Sequence, residues 1–480
     1  MSQLPELPSR RKFLAQGAAA AATFMIVPRF VLGGRGYTAP SDQLVVAGVG
    51  VGGKGESDLA MFAKTGKVRI GYLCDVDDRR AAKAVQAYPN AKYYKDWRQL
   101  LDKEAKNFDA VSVATPDHNH AVVTLAAMQL GKHVYVQKPL THDIYEARAL
   151  TEAAKRYKVV TQMGNQGASN DGVRQLQEWY DDNVIGKVHT VYCWTDRPVW
   201  PQGIAWPPPA PNVPAGLDWD LWLGTAPFRP YSDKLVPFNW RGWWEYGTGA
   251  LGDMGCHLME AAFRVLDLQY ASAVQASVGS VYVDEFKRGY FPDSCPPSSH
   301  VTLTFPKTKK TQHEVTVHWM DGGIQPERPE ELGPNEKFGD GGNGVLFVGK
   351  KGKMMASTYS ADPRLLPLSR NQEVRTKQKL ARVPGGANGH YGQWVEACLA
   401  GYGNKEVSAP FETAGPLTEA LLMANLAIRG YDLQRPKASG TGVEYPGRGI
   451  ELLWDAQQLR VTNFDEVNRF VRREYRQGWS

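Results

Sequence analysis

Three glycines, Gly48, Gly50 and Gly53, stand at G-x-G-x-x-G spacing in the stretch VVAGVGVGGKG, residues 45–55. Apolar residues precede them and a helical pattern follows, so the loop falls where a strand ends and a helix begins. Glycine there permits a tight turn and lets backbone N–H groups approach a pyrophosphate, which the helix N-terminus stabilises through its free donors and dipole. Asp75 closes the next apolar run, YLCDVDD, at the spacing expected of a carboxylate that accepts hydrogen bonds from an adenosine ribose. Its charge opposes a 2'-phosphate and favours NAD, whereas Arg79 and Arg80 just beyond leave NADP open. Two further sets of residues are placed for chemistry. Asp253 and His257 are four apart and share one face of a helix, so both can address one ligand. His118 and His120 are close enough to suggest a metal. No cysteine or histidine cluster elsewhere completes such a site, so no metal is expected and His120 is read as packing at the nucleotide loop.

The elements that must position these residues follow from periodicity. QLVVAGVG, KVRIGYLCDV, FDAVSVATP, KHVYVQKP and VVTQMG read as strands buried on both faces, separated by stretches of helical spacing such as IYEARALTEAAKRYK. That alternation predicts a doubly wound parallel sheet. Beyond residue 164 the pattern changes. KVHTVYCWT, SAVQASVGSVYV, SHVTLTF, HEVTVHW and GVLFVGKKGKMMAS alternate polar with apolar residues, as in a sheet covered on one face. The fold class is therefore α/β, an N-terminal Rossmann-type domain followed by an α+β domain with a large, mainly antiparallel open sheet. The expected division is a signal segment over 1–36, a nucleotide-binding domain over 37–164, a substrate and oligomerisation domain over 165–430, and a tail over 431–480 that packs back on the core.

Composition narrows the function. The 480 residues are 42% hydrophobic, enough for two packed domains, and a formal net charge of +6 gives no electrostatic case for nucleic acid. Five scattered cysteines lack CxxC spacing and read as buried thiols. No apolar run beyond the N-terminus reaches the length of a transmembrane helix. The N-terminus itself, SRRKFL followed by an Ala-rich stretch, matches a twin-arginine export signal. That route carries folded proteins, so a cofactor enclosed in the cytoplasm can travel with the chain to the periplasm or beyond. No clean A-x-A site precedes Tyr37, which leaves an uncleaved membrane tether open.

Together with the glycine loop, ATPDHNHA at 114–121, VYVQKPL at 134–140 and GALGDMGCHLMEAA at 249–262 resemble the Gfo/Idh/MocA family of nicotinamide-dependent sugar and polyol oxidoreductases, in its exported, twin-arginine-bearing branch. The resemblance implies that Thr115-Pro116 lies along the cofactor, that Lys138 stands near the nicotinamide and the substrate hydroxyl, and that Asp253 and His257 form the family's Asp-x-x-x-His motif. Gly52, His120, Gln137 and Asn165 join the implied cofactor contacts. Gln137 replaces the glutamate common in the family, which removes an acidic neighbour of Lys138. Hydride transfer from an alcohol needs a base, a donor to the developing alkoxide, and a carbon held over the nicotinamide. His257 is the expected base because an unperturbed imidazole titrates near neutrality. Lys138 is the expected donor, the two roles being exchangeable, and Asp253 would hold a neighbouring hydroxyl or orient the imidazole.

Eight of the fourteen tryptophans fall between Trp194 and Trp244, in a proline-rich stretch that ends NWRGWW. Most are expected to fill a core or an interface. Trp240 and Trp244 are candidates to face sugar C–H groups, with Arg241 bonding hydroxyls or a carboxylate and with His390 and Tyr391 as weaker members of the same pocket. The first reading is an NAD-dependent oxidoreductase, possible also with NADP, acting on a hydroxyl of a small-molecule carbohydrate as a homo-oligomer, dimer or tetramer. Outside the cytoplasm no nicotinamide pool exists, so the cofactor is expected to be tightly bound. The runner-up is a redox-neutral glycosidase that oxidises, eliminates the aglycone and returns the hydride. A non-catalytic sugar-binding protein is the third reading.

Overall fold

The computed structural model describes residues 42–479, so the expected signal segment over 1–36 lies outside the described residues. Leu44–Ser480 forms one compact unit. Its first sheet contains β1 (Leu44–Val49), β2 (Val68–Cys74), β3 (Lys92–Tyr94), β4 (Ala110–Val113), β5 (His133–Val136) and β6 (Thr161–Met163). All six run parallel in the order β3-β2-β1-β4-β5-β6. Helices α1 (Lys54–Ala63), α2 (Asp78–Ala87), α3 (Trp97–Glu104), α4 (His120–Gln129) and α5 (Ile144–Tyr157) supply the crossovers. Covered on both sides, the inner strands can be apolar throughout, and every residue of β4 is buried. The order reverses between β1 and β4, which opens a crevice at the carboxyl ends of those strands.

Helix α6 (Asp171–Asp181) leads into a nine-stranded sheet. Its strands are β7 (Val188–Trp194), β8 (Ala273–Val278), β9 (Ser299–Phe305), β10 (Val315–Met320), β11 (Gly344–Gly349), β12 (Gly352–Ala356), β13 (Arg364–Leu366), β14 (Leu452–Asp455) and β15 (Arg460–Val461), ordered β13-β12-β11-β7-β10-β9-β8-β14-β15. Only the β7–β10 pair is parallel. Strand β9 alternates buried and half-buried residues along its length, as a one-sided sheet requires. The covered face packs on α7 (Gly249–Leu266) and α9 (Phe411–Tyr431), both buried along nearly their whole length. One hydrophobic core runs from β4 and α5 of the first sheet through these helices to β9. The helix between them in sequence, α8 (Gly386–Ala400), packs instead on the first sheet, where Trp394 and Tyr391 meet Phe62 of α1 and Tyr135 of β5.

The proline- and tryptophan-rich stretch has a small core of its own, built from Trp219, Trp222, Leu235, Trp240, Trp243 and Tyr246. Trp219 and Trp222 stack at 4.7 Å. The chain end is held at two points: β14 extends the second sheet beside β8, and Arg473 with Tyr475 bonds Glu146, which also closes a capping box with Asp143 at the start of α5. All five cysteines are buried and unpaired. Among the described residues no helix is long and apolar enough to cross a membrane.

Candidate functional site

A cavity of about 560 Å³ lies at the β1/β4 crevice, lined on one side by the glycine loop and on the other by α7 and the tryptophan-rich stretch. Gly50 has φ +77°, and a Cβ there would stand 2.7 Å from the carbonyl carbon and oxygen of Ala114. Only glycine lets β1 and β4 end this close together. Gly53 is the N-cap of α1 at φ +59° and supplies no side chain to cap the helix, so its first N–H groups are left toward the cavity. Gly52 lies against Arg80, where a Cβ would be 2.8 Å from the arginine Cβ. Asp75 Oδ2 accepts hydrogen bonds from Val51 N at 2.9 Å and Gly52 N at 3.1 Å. Asp75 thus holds the loop while it lines the cavity; burial pushes its carboxyl above the ordinary range against these donors. Arg79 is paired with Asp77 at 2.7 Å, whereas Arg80 forms no ion pair among the described residues.

The loops after β4 and β5 form the cavity floor. Thr115, Pro116 and His120 line it, and the ring nitrogens of His120 address Thr115 O at 2.8 Å and Pro139 O at 2.7 Å, tying the two loops together. Thr115 Oγ1 is buried without a partner. Gln137 turns away from Lys138 and donates to the fully buried Asp58 at 2.6 Å, in a network with Lys54 and Tyr391. An unpartnered hydroxyl, an uncapped helix start and a cradle that Cβ atoms would fill together fit a dinucleotide pyrophosphate and its sugars.

Opposite this floor, Lys138 Nζ donates to Asp253 Oδ1 at 2.8 Å and to Asp253 O at 2.7 Å. The acidic neighbour expected to be missing beside Lys138 is therefore present, supplied by α7 and not by position 137. Burial alone would raise Asp253, but Lys138 and then Arg241 outweigh it and hold the carboxyl below its ordinary value. One turn on, His257 Nδ1 meets Asn165 Oδ1 at 2.8 Å. Asn165 Nδ2 donates to Cys256 O at 3.0 Å, which fixes the amide orientation, so Nδ1 carries the proton and Nε2 is the bare nitrogen. Burial, then the Lys138 charge, pushes His257 down to about 3 despite Asp253. The expectation of an imidazole titrating near neutrality is corrected: it is held neutral.

Lys138, Asp253, His257, Gly50, Gly52, Gly53, Asp75, Thr115, Pro116, His120, Gln137, Trp240 and Arg241 line one cavity. Gly48 lies below it, where a Cβ would meet Val51 and Leu59. Besides Gly48, four expected contacts are not on its wall. Asn165 is fully buried behind His257. Trp244 faces Arg429 at 5.5 Å. His390 is fully buried, bonding Ser169 Oγ at 2.7 Å and Met163 O at 2.9 Å. Tyr391 points into the Asp58 network. The last two sit on α8, which packs back on the first sheet and turns both side chains into that packing and away from the cavity.

Several wall residues were not singled out. Asp117, buried and bonded by Thr248 Oγ1 at 2.7 Å, lay inside the DHNH stretch and was open to notice. Arg197 approaches Asp253 at 3.9 Å, and Tyr359 meets the His257 ring edge-on at 4.5 Å. Both come from irregular segments whose spacing carries no signal. His118 bonds Trp222 O at 3.1 Å and Tyr246 O at 3.3 Å and is structural. No group of three metal-ligating side chains occurs among the described residues.

Residues 44–165 match the oxidoreductase family described as NAD-binding Rossmann fold, and residues 184–286 match its C-terminal alpha/beta domain. Levoglucosan dehydrogenase of Pseudarthrobacter phenanthrenivorans is 24% identical over 40% of this chain and 40% of its own. Inositol 2-dehydrogenase of Rhodococcus erythropolis is 29% identical over 34% of this chain and 46% of its own. The chain thus spans less than half the length of these curated relatives. The WlbA dehydrogenase from Bordetella pertussis, solved with NADH and UDP-GlcNAcA, is 15% identical with a TM-score of 0.55, covering 81% of this chain and 96% of that one. That likeness is one of fold.

Proposed function

Because the chain belongs to the Gfo/Idh/MocA oxidoreductase family, we propose that it transfers a hydride to or from a hydroxyl-bearing carbon of a sugar or glycoside. The observation that carries this reading is the convergence of Lys138, Asp253 and a neutral His257 on one wall of the cavity that the glycine loop closes. Its curated relatives oxidise levoglucosan and inositol by name, which points to the same substrate class. A bound NAD supplies the hydride acceptor. Asp75 beside the glycine loop favours it over NADP because its charge opposes a 2'-phosphate, and pairing with Asp77 occupies Arg79; Arg80, unpaired among the described residues on the same wall, is the cation that NADP would use. His257 Nε2 accepts the hydroxyl proton, and Asn165 keeps that nitrogen bare. Lys138 donates to the oxygen on which charge develops, and Asp253 fixes the ammonium in place.

Tight retention of the cofactor belongs to this proposal. The tryptophan-rich stretch is strapped over the β2–α2 turn: Leu217 bridges Asp77, Asp218 N donates to Val76 O at 2.8 Å, Asp78 N to Gly216 O at 3.0 Å, and Lys95 Nζ to Gly216 O at 2.8 Å. A retained cofactor suits an exported protein that works as a homo-oligomer beyond any nicotinamide pool, the compartment suggested by the N-terminal SRRKFL. It serves net oxidation followed by reduction of a second sugar, and it serves redox-neutral glycoside cleavage. The test is direct. The purified protein is denatured and the released dinucleotide identified by mass; the intact protein is then given aryl glycosides while absorbance at the reduced-nicotinamide band and aglycone release are followed together. Persistent reduction supports the oxidoreductase, aglycone without reduction supports the glycosidase, and neither signal with any sugar overturns the reading.

A further inference from the structure

The substrate half of the cavity holds more cationic donors than a neutral sugar needs. Arg197 Nε stands 3.9 Å from Asp253 Oδ2 and Arg241 Nε 3.7 Å from Asp253 Oδ1, both beyond hydrogen-bond reach, while Lys138 already bonds that carboxylate at 2.8 Å. The arginines therefore make no hydrogen bond to Asp253, although the Arg241 charge helps to hold its carboxyl down. Arg241 is not a loose surface side chain. Its guanidinium stacks on Trp240 at 4.3 Å and Phe238 at 4.4 Å, and Nη1 donates to Phe238 O at 3.1 Å. Arg197 Nη1 reaches Asp196 at 3.3 Å, and Asp196 is half exposed, so that pair is weakly held. The Nη2 atoms of both arginines have no hydrogen-bond acceptor among the described residues. Asp117 nearby is buried, bonded by Thr248, and faces the Arg241 and Lys138 charges without a hydrogen bond to either.

Two guanidinium forks, one rigidly stacked, thus flank the carboxylate next to the proposed reacting residues. A hydroxyl offers a single acceptor atom, whereas a planar carboxylate offers two and accepts two parallel N–H bonds from such a fork. We infer that the sugar taken by this site carries a carboxylate, as a uronic acid or its glycoside does, held between Arg197 and Arg241. This inference rests on the proposed sugar oxidoreductase reading and deepens it.

Binding separates the two. The protein with its dinucleotide is titrated with methyl glucuronide and with methyl glucoside, and with the galacto pair, by calorimetry or tryptophan fluorescence. The uronides are expected to bind at least about tenfold more tightly than their neutral counterparts, with an affinity that weakens as salt is raised. Arg197→Gln and Arg241→Gln should each collapse that ratio toward one, and Arg241→Lys should retain part of it by keeping the charge without the fork. Dinucleotide content and the thermal midpoint of each variant show that it has folded. A wild-type ratio near one, a sulfated sugar that outcompetes the uronide, or a ratio untouched by either substitution overturns the inference. Turnover decides the reading independently: oxidation of neutral sugars with no acid preference leaves the reading and removes the inference, while uronide preference without hydride transfer does the reverse.

Discussion

Asn165 Oδ1 lies 2.8 Å from His257 Nδ1, and this single contact determines which imidazole nitrogen faces the cavity. Asn165→Asp replaces a neutral acceptor with a charge that favours the imidazolium, so the protonation of His257, now near 3, moves to higher pH. The acidic limb of the pH dependence of kcat/KM should move upward with it, because a protonated His257 cannot accept the hydroxyl proton. An acidic limb identical in both proteins would show that His257 is not the proton acceptor.

Lys138 and Asp253 form a pair that is largely shielded from water. Lys138→Met leaves the Asp253 carboxylate without its cation and the substrate oxygen without its donor. Single-turnover reduction of bound dinucleotide at saturating substrate should slow by about 10²–10⁴-fold. Retention of the rate within a few-fold would remove Lys138 from the chemistry.

The close ending of β1 against β4 makes Gly50 intolerant of a side chain. Gly50→Ala places a methyl 2.7 Å from the Ala114 carbonyl at a φ of +77°, so the loop must shift. Strain of about 1–3 kcal/mol should lower dinucleotide affinity by roughly 5- to 150-fold, measured as cofactor content after purification and by titration of NAD.

The strap over the nucleotide end can be loosened at Lys95, on the cavity wall but away from Lys138, Asp253 and His257. Lys95→Met removes the bond to Gly216 O and the pair with Asp78. One lost hydrogen bond of about 0.5–1.5 kcal/mol predicts that dinucleotide leaves roughly 2- to 10-fold faster, read by chase with a dehydrogenase that consumes released NAD. An unchanged release rate would separate the strap from retention.

Far from the cavity, Glu178 accepts hydrogen bonds from Lys379 N, Leu380 N and both terminal nitrogens of Arg382. Arg382 above all holds its carboxyl down to about 2, from an ordinary 4.5. A depressed carboxyl stabilises the fold above its unfolded value, and that contribution is lost as pH falls from about 4.5 through about 2. Glu178→Gln should lower the thermal midpoint at neutral pH, and the gap to wild type should close toward pH 2.

Much of the first domain could be read directly. The strands of its sheet are apolar because both faces are covered, and the glycine loop, Thr115-Pro116 and Lys138 all lie at carboxyl ends of those strands, where sequence position and spatial position coincide. The three-residue β3 was not legible, since KYY has neither length nor an alternating pattern. Nor were β14 and β15, which join the second sheet across a long separation in sequence and depend on tertiary pairing with β8. The same reason explains the site residues that were misplaced. His390 and Tyr391 lie on α8, and a helical pattern states that a face is buried without stating which of its side chains reach a cavity and which fill the core. Asn165 was expected at the cofactor from the family resemblance; the structure turns its amide toward α7 instead. Asp253 and His257 were legible as a pair because four residues of helix fix their relation whatever the helix packs on.

The antiparallel bridge between Asp77 and Leu217 joins the rim of the first sheet to a segment that arrives some 140 residues later in the chain. Under the retention proposed above, a dinucleotide beneath that bridge would be enclosed by covalently distant parts of one polypeptide, so the order of assembly would matter: one that arrives before residues 216–218 settle would be built in, and one that arrives afterwards would wait for them to part. Loading then becomes an event of maturation, and the history of the molecule, more than the surrounding concentration of NAD, would set how much of it is competent.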